Sequence, residues 1–222
     1  TIGEATAILP SACGRFEFTR SGEEIALIVG SQILLIDPDD GTVHAEFKSH
    51  ARVDSLQLTA DDRWLISGTT GGNGIRIWDR QTGKLIKELN PQWRSAAVDA
   101  SPVSKTLIAG TEGEIAIYRA GDWKQLQKIV SDQRPAANRI RFRYSADGQL
   151  LACCHVEYLP ELRDPSTGKT LIHLIAPFPE RVGEFALSPD GTHLAIACDH
   201  NLHLWQIDSL RSQLAELGLD WD

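Results

Sequence analysis

Side chains capable of chemistry are spread thinly along this sequence. Its seven histidines are His44, His50, His155, His173, His193, His200 and His203. Only His200 and His203 are close neighbours, and a metal held there needs a third ligand that the spacing does not supply. Cys13, Cys153, Cys154 and Cys198 form no C-x-x-C pair, so no zinc site is assigned. The adjacent Cys153 and Cys154 face opposite sides of any strand that contains them, and the four cysteines read as buried free thiols. The run Asp37-Pro38-Asp39-Asp40-Gly41 is acidic but lacks the alternating ligands and closing Glu of a calcium loop. No G-x-S-x-G elbow occurs. No catalytic residue, metal or cofactor is assigned.

Binding chemistry is better represented. In Pro91-Gln92-Trp93-Arg94, Trp93 and Arg94 are the residue types that dominate binding hot spots. Arg139 and Arg141, with Arg143, alternate along one strand face and together could grip a carboxylate or phosphate bidentately. Arg181 and Arg52 occupy similar loop positions and would extend a basic rim. His155 and Tyr158 lie in a polar, aromatic loop. Each has a plainer structural reading: Trp93 packed beneath Arg94, arginines paired with local acids, and an ordinary surface loop.

The elements that position these residues come from a repeat. An apolar residue, a Ser or Thr and a polar turn precede an apolar strand at Phe18-Thr19, Leu58-Thr59, Ala100-Ser101, Tyr144-Ser145 and Leu187-Ser188. The copies start 40, 42, 44 and 43 residues apart, the length of one four-stranded propeller blade. Three copies carry a second turn ending in Gly41, Gly83 or Gly168, where a hairpin needs a residue at positive φ.

These features resemble the WD-repeat family. Trp78-Asp79 is the dipeptide that names it, Trp205-Gln206 is a variant, and Ser49-His50 sits near its Gly-His position. The resemblance implies an all-β, WD-repeat β-propeller with five blades over residues 14–208. Residues 1–13 would be the outer strand of a preceding or closing blade, with Glu4 to Leu9 as the strand itself. Residues 209–222 would form a short helix and tail, capped by Asp208 or Ser209 and striped by Leu210, Leu214 and Leu217. The five blades are expected to be part of a ring of about seven, with a closed five-blade ring as the alternative. The family's buried His-Ser-Trp-Asp network is only partly present. The second repeat offers His50, Ser67 and Trp78, with Asp79 following the Trp, but Gly72 and Asn73 stand where the tight-turn Asp is expected. The fifth offers Asp199 and Trp205, with Ala195 expected at the Ser position.

The tail from Leu210 to Asp222 resembles the segment that follows WD repeats in planctomycete-type bacterial serine/threonine kinases. That likeness implies a signalling role. No kinase motif lies in this chain. The expected function is a non-catalytic scaffold or sensory module with a protein partner; the alternative is a propeller hydrolase or lyase acting in the central channel. A net charge of −8 disfavours nucleic acid, and no apolar run is long enough to cross a bilayer. The compartment is open between the cytoplasm and, for a chain tethered to a membrane-spanning kinase, the outside. The oligomeric state is not fixed by these features.

Overall fold

The computed structural model describes residues 13–48, 52–111, 113–130, 140–154, 159–176 and 180–221. The fold is all-β. Among the described residues, five small antiparallel sheets of three or four strands follow one another along the chain, and one short helix follows the last of them. The chain divides into two compact units, Thr1–Val98 and Asp99–Asp222.

In the first unit, one blade is built from β1 (Cys13–Phe18), β2 (Ile25–Val29), β3 (Gln32–Ile36) and β4 (Val43–Lys48), paired in sequence order. The next comprises β5 (Arg52–Leu58), β6 (Trp64–Thr70), β7 (Ile75–Asp79) and β8 (Leu85–Leu89). Alternation sends Ala26, Ile28, Ile33, Leu35 and Phe47 from one sheet against Val53, Leu56, Leu65 and Trp78 from the other. Phe47 meets Trp78 edge-to-face, with ring centroids 6.0 Å apart. Burial of these faces holds the blades together. The outer strand β8 is exposed over most of its length.

The third blade contains β9 (Ala97–Ala100), β10 (Thr106–Thr111), β11 (Glu114–Arg119) and β12 (Gln125–Val130). In the second unit, β13 (Arg141–Tyr144), β14 (Leu151–Cys154), β15 (Glu161–Arg163) and β16 (Thr170–His173) form the fourth blade. The fifth has only β17 (Val182–Leu187), β18 (His193–Cys198) and β19 (Leu202–Gln206) among the described residues. The strand proposed for it from Glu4 to Leu9 lies outside them. Phe185, Leu194 and Ile196 of the fifth blade pack on Ala152, Cys154 and Leu162 of the fourth.

The repeated Ser or Thr has a mechanical role. In four copies its hydroxyl accepts the N–H five residues on: Glu24 to Thr19 at 3.1 Å, Trp64 to Thr59 at 3.1 Å, Leu150 to Ser145 at 2.9 Å and His193 to Ser188 at 2.9 Å. The turn needs positive φ at its fourth residue, supplied by Gly22, Gly148 and Gly191, and by Asp62 in the second copy. The third blade also has the second turn, although its sequence has no Gly in the expected place. Trp123 takes φ 57° there, and its N–H reaches the Arg119 carbonyl at 2.9 Å. Packing offsets that strain, for Trp123 is only 4% exposed.

The helix α1 (Ile207–Glu216) starts earlier than expected, because β19 runs directly into it. Gln206 occupies the N-cap without a side-chain hydrogen bond, so neither Asp208 nor Ser209 caps it. Gly218 ends it at φ 68°. The Leu219 N–H bonds the Leu214 carbonyl at 2.8 Å and the Gly218 N–H bonds Ala215 at 3.0 Å, the Schellman pattern. Ile207 and Leu210 pack on the core, whereas Leu217 is 71% exposed, so the apolar stripe is shorter than the spacing predicts. Arg211 binds the tail, donating to Asp220 through two 3.1 Å bonds and lying over Trp221. Among the described residues no helix is long and apolar enough to cross a membrane.

Candidate functional site

Three blades carry an arginine at the same point of their own sheet, seven residues before the turn hydroxyl: Arg52 before Thr59, Arg94 before Ser101 and Arg181 before Ser188. Each marks the place where the chain enters the blade's first strand; Arg181 meets the loop between the second and third strands of its own blade, whereas Arg94 meets that loop of the second blade.

In the first unit, Arg52 is 78% exposed and donates from Nε to Asp54 at 3.1 Å. The other Asp54 oxygen accepts the Thr70 hydroxyl. An exposed pair of this kind contributes little stability, so the guanidinium keeps most of its capacity for a ligand. Arg52 edges a cleft of about 660 Å³ whose walls include Arg15, Ile28, Gly30, Val53 and Asp54. Arg94 is also exposed. Its carbonyl accepts the N–H groups of Gly71 and Gly72 at 2.7 and 2.9 Å, and the Trp93 carbonyl accepts that of Gly74 at 3.2 Å. All three glycines have positive φ. Trp93 is 5% exposed, which corrects its reading as a partner contact: it anchors the loop from within and leaves Arg94 to face outward. In the fifth blade, Arg181 is exposed, and its carbonyl accepts the Asp199 N–H at 3.2 Å.

The arginine face of the fourth blade is occupied. Arg141 donates to the Gly183 carbonyl and to the Ile140 carbonyl, each at 2.8 Å. Both Arg141 and Arg143 approach the Glu184 carboxylate at 3.8 Å. Phe142 and Tyr144 point the other way and are buried. Arg139, His155 and Tyr158 lie outside the described residues, as does His50.

Of the structural network, the Trp78–Ser67 link is formed: Nε1 donates to the hydroxyl at 3.0 Å, with both residues buried. Asp79 serves the second turn, accepting the Thr82 N–H and hydroxyl at 2.8 Å each. In the fifth blade the network is absent at Trp205, whose buried Nε1 has no partner. Register gives the reason. Leu65 pairs with Trp78 and Leu194 with Trp205, so the counterpart of Ser67 is Ile196, not Ala195, and Ile196 offers no acceptor.

One polar cluster has no counterpart in the sequence reading. Arg163 stands at the Trp position of the fourth blade and Cys153 at the Ser position, with Glu161 opposite Cys153. Glu161 is 2% exposed. It accepts Arg163 Nε at 2.8 Å, the Thr170 hydroxyl at 3.0 Å and the Cys153 thiol at 3.3 Å. The Arg163 Nη1 donates to the Gly168 carbonyl at 2.5 Å. Burial pushes the Cys153 thiol well above its ordinary pKa, reinforced by the Glu161 charge; burial raises Cys154 to about 12. Cys153, Cys154 and Cys198 are free thiols, and the first two are protonated and inert at neutral pH. The signal for this cluster is Glu161-Leu162-Arg163, which places two opposite charges on one strand face, where the second blade has Arg76 and Trp78 and the fifth has His203 and Trp205.

Comparison with known proteins agrees with this architecture. Residues 40–79 and 173–206 match the WD domain, G-beta repeat. The chain is similar to the β-propeller domain of Myceliophteria thermophila Cps50 (Swd1), with a TM-score of 0.74 at 15% identity. The match covers 90% of this chain and 66% of that one. It is also 23% identical over 135 residues to a human protein, intraflagellar transport protein 122 homolog, covering 61% of this chain and 10% of that protein. The chain thus spans a tenth of the curated relative and just under two thirds of the solved propeller domain.

Proposed function

We propose that the chain is a non-catalytic protein-interaction module whose partner presents acidic groups to the loop ends of the blades. The observation that carries this reading is the recurrence of an outward arginine at one blade position, Arg52, Arg94 and Arg181, on a chain of net charge −8. Recurrence at one place in the blade is a surface pattern that an acidic average composition does not predict. Arginine suits it, because its planar fork grips carboxylates bidentately.

The test compares the wild-type chain with the charge reversals Arg52→Glu and Arg94→Glu as baits in a lysate of the source organism, by quantitative cross-linking. A reproducible partner, cross-linked through an acidic segment and depleted at least about tenfold by either reversal, is the expected result. Such a loss corresponds to about 1.4 kcal/mol. Partners indifferent to both reversals would overturn the assignment. Attachment to a bacterial serine/threonine kinase is the finer form of the proposal and rests on the tail sequence. Sequencing the native polypeptide that contains this chain decides it: a kinase domain in that polypeptide supports the link, and its absence removes it.

A further inference from the structure

We propose that Glu180, Cys198 and His203 form a divalent transition-metal site on the fifth blade, of the kind that binds Zn²⁺. A carboxylate oxygen, the thiol sulfur and an imidazole nitrogen of these three residues all lie within 4.8 Å of one another, each on a partly buried side chain. Sequence separates Glu180 from Cys198 by almost the whole of a hairpin, and the sheet brings them back together. Val182 at the start of β17 pairs with Cys198 at the end of β18. His203 pairs with Ile196, so Cys198 and His203 occupy a diagonal on one face of the β18–β19 hairpin. The hairpin is closed by the Cys198 N–H on the Asn201 carbonyl at 2.9 Å, and the Asp199 N–H on the Arg181 carbonyl ties to it the segment that carries Glu180 into β17.

The spacing fits an ion. Zinc bonds of about 2.3 Å to sulfur and 2.0–2.1 Å to nitrogen at a tetrahedral angle place the two ligand atoms about 3.6 Å apart. Cys198 Sγ and His203 Nδ1 are 3.7 Å apart. Glu180 is already oriented. Asn201 Nδ2 donates to its Oε1 at 2.7 Å, while its buried Oε2 has no hydrogen-bond partner. A buried carboxylate oxygen left without a donor is costly, and a cation beside it removes that cost. His200 Nδ1 stands 3.8 Å from Glu180 Oε1 on a side chain that is 82% exposed, so a rotamer change brings a fourth ligand within reach; otherwise water completes the shell. Thiolate, imidazole and carboxylate together select zinc or cobalt over magnesium or calcium. Binding exchanges the thiol proton for the metal, and that proton leaves to solvent.

Cobalt(II) is the probe, added to the full chain kept reduced with a phosphine. Expected is a saturable one-to-one complex with a thiolate-to-cobalt charge-transfer band, displaced by zinc. Cys198→Ser abolishes the band. Glu180→Gln weakens cobalt binding while leaving the sulfur band at saturation, and Asn201→Ala weakens it about 10- to 100-fold by releasing the ligand it orients. His193→Gln, on the same blade but outside the cluster, changes nothing. If Cys198→Ser does not fold, Glu180→Gln and Asn201→Ala carry the test. A wild-type chain that shows no charge-transfer band, a band that survives in a folded Cys198→Ser, or a cobalt affinity unchanged by both Glu180→Gln and Asn201→Ala overturns the proposal.

Discussion

Replacing Glu161 by leucine tests how the fourth blade is held together. Glu161 and Arg163 are 2% and 9% exposed and bond at 2.8 Å. Removing the carboxylate strands a guanidinium inside the blade with the Gly168 carbonyl as a remaining acceptor. Breaking one side of a buried pair costs about 3–5 kcal/mol, a large part of the roughly 5–15 kcal/mol that stabilises a domain. At about 2–4 °C per kcal/mol for a chain of this length, the melting temperature should fall by roughly 6–20 °C. The double variant Glu161→Leu with Arg163→Met removes both charges at similar volume. Apolar replacement of a buried pair is often neutral or stabilising, so the double variant should recover to within about 1 kcal/mol of wild type. Urea and thermal unfolding, followed by tryptophan fluorescence on all three proteins, measures both differences. A single variant that costs less than about 1 kcal/mol, or a double variant no better than the single, refutes the claim that the stranded charge is what destabilises the blade.

Two further outcomes follow from the geometry. A methyl group on Gly68 would overlap the Ala96 carbonyl and the Ser55 hydroxyl, which already donates to that carbonyl at 3.3 Å; Gly68→Ala should therefore destabilise by at least the roughly 1–3 kcal/mol typical of overpacking, read by urea unfolding. Asp190 is held down to about 2, first by the Ser188 hydroxyl and then by the Thr192 N–H. Because the folded pKa is depressed, its contribution is complete above the ordinary carboxylate pKa of about 3.9 and disappears as pH falls through about 2. Carboxyl NMR titration should place the Asp190 midpoint near 2, and Ser188→Ala should raise it; a midpoint near 4 in the wild-type chain contradicts the turn geometry.

How much of this was legible in the sequence depends on the range of the interaction. The turn phrase could be read directly because its hydroxyl bonds an N–H only five residues away, as Ser145 does with Leu150. Gly41, Gly83 and Gly168 were readable for the same reason, since positive φ is a local demand. Trp123 was not, because tertiary packing rather than local preference holds it in that conformation. The Ser67–Trp78 bond followed from the repeat, yet its counterpart at Ile196 was displaced by one residue. Loop lengths differ between blades, and only strand pairing fixes which residues face each other. Arg141 and Arg143 looked available until the sheet brought Glu184 across from β17.

The same reasoning explains why the cluster at Cys198 escaped notice. Ligand spacing along a chain reveals a metal site only when the ligands share a helix or a knuckle. In a blade, the ligands come instead from the entry to the first strand, the end of the second and the start of the third. Each of those points can vary without disturbing the apolar alternation that makes the fold. Glu180 lies before the first strand and Cys198 packs only at the margin of the core, whereas Ile196 fills the Ser position with a side chain 0% exposed. Chemistry in this architecture is therefore expected where strands begin and end, and the repeat that identifies the fold conceals it.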